Sequence, residues 1–251
     1  MELIRRLFTA ALVAGVLSGT AASVVQQATT VPLILEAEKY EVVTPPAASA
    51  PAPEAAHQHG PVREVGEGVP TTLDEAMRRT GLTIVSNLLT GVAYALLLSA
   101  AILLAGRPVD ARRGLVWGAG GFVAVSLAPS FGLPPELPGM AGADLELRQL
   151  WWLAAAAGAG VGMAALAFAR NRLVIAAAVL AAALPHLIGA PHPESAEGAV
   201  PPELAARFVT ASLGSAALFW AILGAACGWL MNGLAGEAEH RPALRVQPGA
   251  R

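Results

Sequence analysis

The sequence is poor in cysteine, lysine and charged residues. It holds one cysteine, Cys227, and one lysine, Lys39, and charged residues make up 14% of the chain. A single cysteine excludes an internal disulfide framework and any zinc or redox site built on a Cys-x-x-Cys motif. Soluble domains contain about a quarter charged residues, so this content argues against a water-soluble enzyme. The nearly balanced net charge of -2 argues against a nucleic-acid-binding protein.

The common catalytic and nucleotide-binding motifs are absent as well. The chain has no Walker motif, no His-Glu-x-x-His, no Gly-x-Ser-x-Gly and no paired carboxylates within an apolar stretch. It therefore cannot hydrolyse ATP by the P-loop route. We predict that the protein is not an enzyme, and a catalytic site built only from loop residues is the least supported alternative.

Long apolar stretches are what the sequence does contain. Hydrophobic residues make up 55% of the chain, and the mean hydropathy is +0.57. A helix that spans a bilayer needs about 20 mainly apolar residues. Six stretches free of acidic and basic residues approach or reach that length: 7–25, 82–105, 114–131, 150–169, 173–190 and 208–234. They predict an all-α, polytopic transmembrane bundle of about six spans.

The charged segments divide the chain into four parts. We predict a first span over residues 1–30, a long outer loop over 31–81, a five-span bundle over 82–234 and a polar cytoplasmic tail over 235–251. Within the loop, residues 31–42 are typical of a helical or interfacial continuation, and residues 44–61 of a Pro/Ala linker. Thr72 followed by Glu75 is the pattern of a helix N-terminus leading into the second span.

The distribution of arginine predicts the orientation. With the N-terminus in the cytoplasm, the short loops 106–113 and 170–172 carry Arg but almost no acid, while the segments on the other side are net acidic. This matches the positive-inside rule and places both termini in the cytoplasm. The Arg78-Arg79 pair on the outer side is the exception. Arg5-Arg6 with an apolar run also resembles a cleavable leader, whose loss would leave five spans.

Small and aromatic residues predict how the helices pack. Four pairs of glycines stand four residues apart within a span, at 15/19, 114/118, 158/162 and 224/228. This spacing puts both glycines on one face and lets two helix backbones approach closely. Trp151 and Trp152 open the fourth span and are typical of an aromatic belt at the membrane surface.

Histidines and carboxylates on the outer side are the candidate metal ligands. They are Glu36, Glu38, His57, His59 and His186. Imidazole and carboxylate together suit borderline divalent cations such as cobalt, nickel or zinc. Each also has a plainer interpretation, because the two acids would form a solvated rim and the two loop histidines would lie in a solvated linker. Glu36 and Glu38 diverge on a helix but align on an extended segment.

Uncharged polar residues near the outer ends of spans are candidates for an ion pathway. Gln26 and Gln27 follow the first span, and Asn87 lies in the second. A polar seam of these three would admit an ion between glycine-packed helices. Asn87 is equally well interpreted as a hydrogen-bonding group between helices.

Seven blocks of sequence, taken in order, resemble the predicted cobalt transporter subunit family CbtA. They are IRRLF at 4–8, VPLILEAEKYE at 31–41, NLLTG at 87–91, RRGLVWG at 112–118, GLPPELPG at 132–139, RQLWW at 148–152 and PHLIGAP at 185–191. The resemblance extends from the start of the chain to about the end of the last span.

This resemblance implies an inner-membrane component of a cobalt uptake system. Co²⁺ would be the transported ion rather than a resident cofactor, and the usual partner is a small, single-span, histidine-bearing subunit, CbtB. The family is often described with five spans, and its outer loop is richer in histidine than the His57/His59 pair here. A non-transporting scaffold or assembly subunit is the alternative. The sequence leaves homo-oligomerisation open.

Overall fold

The regular structure consists of helices throughout the described part of the chain. The computed structural model describes residues 2–41, 72–193 and 198–239. The helices are α1 (Glu2–Glu41), α2 (Leu73–Ala105), α3 (Ala111–Phe122), α4 (Ala128–Ser130), α5 (Leu145–Phe168), α6 (Arg172–Ile188) and α7 (Pro202–Glu239). The all-α fold class predicted from the sequence is confirmed.

Side-chain caps define where most of these helices begin. The Thr72 hydroxyl accepts a hydrogen bond from the Glu75 amide at 3.3 Å, as the sequence predicted, and Asp110, Asp144 and Asn171 cap α3, α5 and α6 in the same way. Each cap satisfies an amide that has no partner inside its helix. Helix α2 ends at Gly106, whose φ of 62° is favourable for glycine.

Helices α3 and α4 form one rod that is interrupted by a π-helical turn. The turn covers Val123–Leu127, and the Ala128 amide donates to the Val123 carbonyl five residues earlier. A π-helical turn widens the backbone locally and is frequent at functional sites. Here it places Ser126 on the inner side of the rod, beside the Trp220 side chain of α7.

The helices pack in antiparallel pairs. α1 lies against α2 and α7, α3 lies against α7, and α5 lies against α6, while α5 also contacts the π-helical turn. Each of the six apolar stretches overlaps one of these rods. Six of the ten arginines whose side chains the structure describes gather at one end of the bundle, which we call the arginine end: Arg5, Arg107, Arg112, Arg113, Arg170 and Arg172. The opposite, acidic end carries Glu36, Glu38, Asp74, Glu75, Glu136, Asp144, Glu146 and Glu203.

The glycine pairs sit where backbones come closest, as predicted. Gly15 and Gly19 of α1 face residues 87–92 of α2, and Gly114 and Gly118 of α3 face Gly224 and Trp220 of α7. Gly158 and Gly162 of α5 face Ala178, Ala181 and Ala182 of α6. We call the contacts of α1 with α2 and of α3 with α7 the glycine seams.

Two buried clusters hold the bundle together. The larger lies toward the arginine end and contains Ala11, Ala14, Ala95, Leu98, Ile102, Leu223 and Cys227, among others. The smaller lies at the acidic end, where Leu33 and Ala37 of α1 pack with Leu137, Leu204 and Phe208. Cys227 is fully buried, as expected of a small packing residue.

Within the described ranges, four helices are long and apolar enough to cross a membrane. They cover Leu7–Tyr40, Leu73–Ala105, Leu145–Phe168 and Pro202–Gly233, and α6 is a shorter apolar helix. Many of their large apolar side chains are exposed, for example Leu97, Leu104, Leu166 and Leu187. Such a surface is typical of helices that face lipid. The count of six spans stays a prediction.

The helices overrun the predicted segment boundaries. Helix α1 continues through Pro32 to Glu41, so the segment 31–41 is helical rather than extended. Helix α2 begins at Leu73, and α7 continues to Glu239 into the predicted tail. Residues 42–71, which include the predicted Pro/Ala linker, and residues 240–251 lie outside the described part of the chain.

Candidate functional site

Helices α1 and α2 are joined by side-chain hydrogen bonds at the middle of their contact. The Asn87 amide nitrogen donates to Gln26 Oε1 at 2.7 Å and to Ser23 Oγ at 3.0 Å. Two of the three predicted pathway residues therefore lie side by side. Gln27, the third, is half-buried and does not line the cavity described next.

A cavity of about 450 Å³ adjoins this pair. It lies between α1, α2, α5, α7 and the π-helical turn. Nine of the residues that line it carry a hydroxyl or a carboxamide: Gln26, Thr30, Thr83, Asn87, Thr90, Tyr94, Ser126, Ser212 and Ser215. We call this space the hydroxyl cavity. Apolar and aromatic side chains complete its wall, which is the usual composition of a small-ligand site.

One of these hydroxyls is buried without a partner. Ser215 is 3% exposed, and its Oγ is the one buried side-chain oxygen or nitrogen in the described residues that makes no hydrogen bond. A buried polar group without a partner costs about 1–3 kcal/mol. Such an atom on a cavity wall marks a place where water or a ligand would be bound.

Three aromatic rings separate the cavity from the arginine end. The Tyr94 ring centroid lies 4.9 Å from that of Trp220 and 6.3 Å from that of Phe219. Beyond this floor α3 and α7 are in close contact at Gly114 and Gly224, and Leu223 and Cys227 are fully buried. The cavity is therefore closed toward the arginine end.

A second cavity, of about 690 Å³, continues from the first toward the acidic end. The two share Val125, Ser126, Trp152, Ser212 and Ala216 in their walls. The rim of the second cavity carries an ion pair, in which Arg148 Nη2 lies 2.5 Å from Glu136 Oε2. Together the two cavities extend from Glu136 to Ser215.

Glu36 and Glu38 point in different directions, as residues two apart on a helix must. Glu36 forms an exposed ion pair with Lys39, with 2.6 Å between Oε2 and Nζ. The Glu38 carboxylate is 7% exposed and accepts two hydrogen bonds from the Arg79 guanidinium of α2. This pairing gives a structural partner to Arg79, one of the two arginines that the orientation rule left unexplained.

His186 lies apart from both carboxylates. Its ring meets the Trp151 ring edge-on, with centroids 5.4 Å apart, and lines a separate cavity of about 570 Å³ that His192 also lines. His57 and His59 lie outside the described residues. In the described part of the chain no three His, Cys, Asp or Glu side chains come together as a metal site.

Sequence reasoning missed three serines of the cavity walls, of which Ser126 and Ser212 line both cavities and Ser215 lines the hydroxyl cavity. Ser126 lies in the π-helical turn, and Ser212 and Ser215 lie three residues apart on α7. The available signal was hydroxyl residues within apolar stretches, which also occur as packing residues in membrane helices. Trp151 was assigned to the membrane surface, but it is 8% exposed and its Nε1 donates to the Pro185 carbonyl at 3.0 Å.

Comparison with known proteins gives a family but no structural relative. No curated protein and no solved structure matches the chain. The profile of one family, described as "Probable cobalt transporter subunit (CbtA)", matches residues 4–232. That is nearly the whole chain and includes every element that lines the hydroxyl cavity. The chain belongs to the CbtA family of probable cobalt transporter subunits.

Proposed function

We propose that this chain is the membrane subunit through which Co²⁺ enters the cell, and that the ion passes through the hydroxyl cavity. The observation that carries this proposal is a set of nine polar side chains around one cavity inside a bundle that otherwise presents apolar residues to its surroundings. Polar groups at membrane depth are costly and usually mark an ion or substrate path. Family membership supplies the ion.

The bundle lies in the cell inner membrane with six spans and its arginine end in the cytoplasm. The α3–α4 rod reaches span length because its segments of 12, 5 and 3 residues are continuous. At about 1.5 Å per residue this rod is about 30 Å long, the thickness of the hydrocarbon core. The gathering of arginines at one end supports this orientation.

Capture of the ion takes place on the outer side. Glu36 is exposed at the acidic end, and His57, His59 and His186 supply imidazoles, which bind cobalt well. Glu38 contributes negative charge but holds α1 to α2 through Arg79. The acids at this end attract divalent cations before any direct contact forms.

The membrane potential drives the ion inward. A divalent cation that enters a cell with a negative interior gains about 4.6 kcal/mol per 100 mV, twice the figure for one charge. The chain has no P-loop to supply energy from ATP. A small single-span partner with histidines, such as CbtB, would deliver the ion. Assembly with that partner, or with further copies of this chain, would open the arginine end of the bundle.

A scaffold role is the alternative, and one observation favours it. None of the described cavities lies in the half of the bundle toward the arginine end, and the described residues hold no group of three metal ligands. A subunit that only anchors other proteins would need neither.

Uptake of labelled Co²⁺ separates the two functions. Cells that lack their own high-affinity importers would express the full chain with or without the small partner, with nickel as a competitor. Replacing Glu36 or His186 by Ala should lower uptake at trace cobalt, and by more than the control Glu203→Ala, which removes an exposed acid at the same end. No uptake by a correctly inserted chain in either configuration would reject transport and favour the scaffold.

Access of water to the cavity is tested separately. In a Cys227→Ser background, Ser212→Cys should react with a polar maleimide added from outside. Thr210→Cys should not react, because Thr210 lies outside the three cavities, on the exposed face of α7 that would contact lipid in the proposed arrangement. Equal reactivity of the two cysteines would contradict a water-filled route.

A further inference from the structure

The hydroxyl cavity is unusual for a transition-metal site because of what does not line it. Among the described residues, its wall contains no carboxylate, no imidazole and no thiol. Cobalt binds tightly to imidazole and other nitrogen ligands, whereas neutral hydroxyl and amide oxygens are weak replacements for its own water ligands. A bare ion in this space would lose its waters and gain little in return.

Two hydroxyls of the wall already donate their protons elsewhere. The Thr30 and Thr83 hydroxyls donate to the backbone carbonyls of Gln26 and Arg79, at 3.2 and 3.0 Å. Their oxygen lone pairs therefore remain for a donor in the cavity. Waters bound to a metal cation are strong donors, because the cation polarises their O–H bonds.

Ser126 presents an oxygen to the same space. Its Oγ accepts from Trp220 Nε1 at 3.3 Å, and a hydroxyl oxygen has two lone pairs. Ser215 Oγ has no partner and can either donate or accept. The oxygens of Thr30, Thr83, Ser126 and Ser215 can each therefore accept a hydrogen bond from a metal-bound water.

The size of the cavity permits this shell. Six waters occupy about 180 Å³ at roughly 30 Å³ each, and the cavity volume is about 450 Å³. A hexahydrated divalent cation fits with space for a few bridging waters. A closely fitted dehydrated ion would leave most of the volume empty.

We propose that the hydroxyl cavity binds the divalent cation with its first shell of water intact, through hydrogen bonds from those waters to the hydroxyl and carboxamide oxygens. This inference rests on the proposed function. Because the wall contacts water rather than metal, the cavity distinguishes cobalt from other hydrated dications only weakly. Selection for cobalt then occurs at the imidazoles outside the cavity or on the partner subunit.

An exchange-inert analogue tests this directly. Hexaamminecobalt(III) has the octahedral shape of a hydrated cation and presents N–H donors, but its ligands do not exchange during an assay. Added outside cells that take up labelled Co²⁺ through the full chain and its partner, it should inhibit uptake. Ser215→Ala should raise the half-inhibitory concentration about fivefold, the effect of one lost hydrogen bond.

Matched variants locate the inhibition. Thr210→Ala removes a hydroxyl from the outer face of the same helix and should leave the half-inhibitory concentration unchanged. Equal half-inhibitory concentrations for Ser215→Ala and Thr210→Ala would overturn the inference.

A second measurement uses the purified full chain. Hexaamminecobalt(III) should raise its unfolding temperature by binding the folded state, and the rise should be smaller for Ser215→Ala than for Thr210→Ala. Ser215→Ala itself should fold normally, because the hydroxyl has no partner to lose.

The outcomes distinguish the two proposals. Uptake of Co²⁺ that continues undiminished in saturating hexaamminecobalt(III), with no thermal shift, would overturn hydrated passage and leave cobalt transport standing. Absence of Co²⁺ uptake altogether would overturn the proposed function and, with it, this inference.

Discussion

The seam between α3 and α7 predicts a sharp difference between two Gly→Ala substitutions on the same helix. A Cβ added at Gly114 would lie 2.9 Å from the Gly228 Cα and closer still to the Gly224 carbonyl oxygen, whereas a Cβ at Gly120 meets nothing within 4 Å. Ordinary contact begins near 3.4 Å, so α3 and α7 would have to separate by at least half an ångström. Both obstacles are backbone atoms and cannot rotate aside.

The expected cost of Gly114→Ala is therefore at the upper end of overpacking, about 3 kcal/mol. Gly120→Ala should be neutral or stabilising by up to about 1 kcal/mol, because alanine favours a helix over glycine. Both would be measured on the full chain in mild detergent, by loss of helical circular dichroism during titration with a denaturing detergent. Equal stability of the two variants would refute the close approach of α3 and α7.

Three further predictions follow from single contacts. Glu38→Gln should destabilise the α1–α2 pair by about 1–3 kcal/mol, because it removes the carboxylate that pairs with the Arg79 guanidinium. A double-mutant cycle with Arg79→Gln should show a coupling energy of similar size, and a coupling energy of zero would exclude the ion pair. Trp151→Phe should cost about 1 kcal/mol in the same unfolding assay through loss of the hydrogen bond to the Pro185 carbonyl, and an unchanged midpoint would contradict that bond. Cys227 should resist a polar maleimide from either side until the protein is denatured, and rapid labelling of the native chain would show that the arginine half is open.

Local features of the fold were predictable because they depend on short stretches of sequence. The Thr72 cap needs only the residues up to Glu75, and the glycine pairs need only a spacing of four on one helix. Backbone contact at Gly15 and Gly114 follows from that spacing, because two glycines on one helix face leave a groove that the backbone of a second helix fills. The gathering of arginines at one end follows from the alternation of apolar stretches and loops.

Contacts between distant segments were not predictable in the same way. Nothing in the sequence around Glu38 indicates that its partner is Arg79, 41 residues later. The burial of Trp151 depends on α6 returning antiparallel at a particular rotation, which hydropathy does not encode. The role of Ser215 depends on the absence of any hydrogen-bonding partner nearby, and only the packed structure reveals an absence of that kind.

The structure decides only some of the predictions about candidate metal ligands. Because the helical conformation of residues 31–41 sends Glu36 and Glu38 apart, the extended alternative in which they align is wrong. Asn87 forms the interhelical hydrogen bond of one interpretation, to Gln26, and it also lines the cavity, but its part in an ion pathway stays a prediction. The assignments of His57, His59 and His186 as ligands stay predictions.

The glycine seams have a consequence for the electrical integrity of the membrane. A continuous file of water across a bilayer also conducts protons, so any permanent opening for a hydrated ion would dissipate the potential that drives it. Here the backbones of α3 and α7 touch directly beyond the aromatic floor and leave no space for such a file along their seam. The resting protein is therefore expected to be proton-tight, and proteoliposomes that contain it should hold a pH gradient as long as empty ones do.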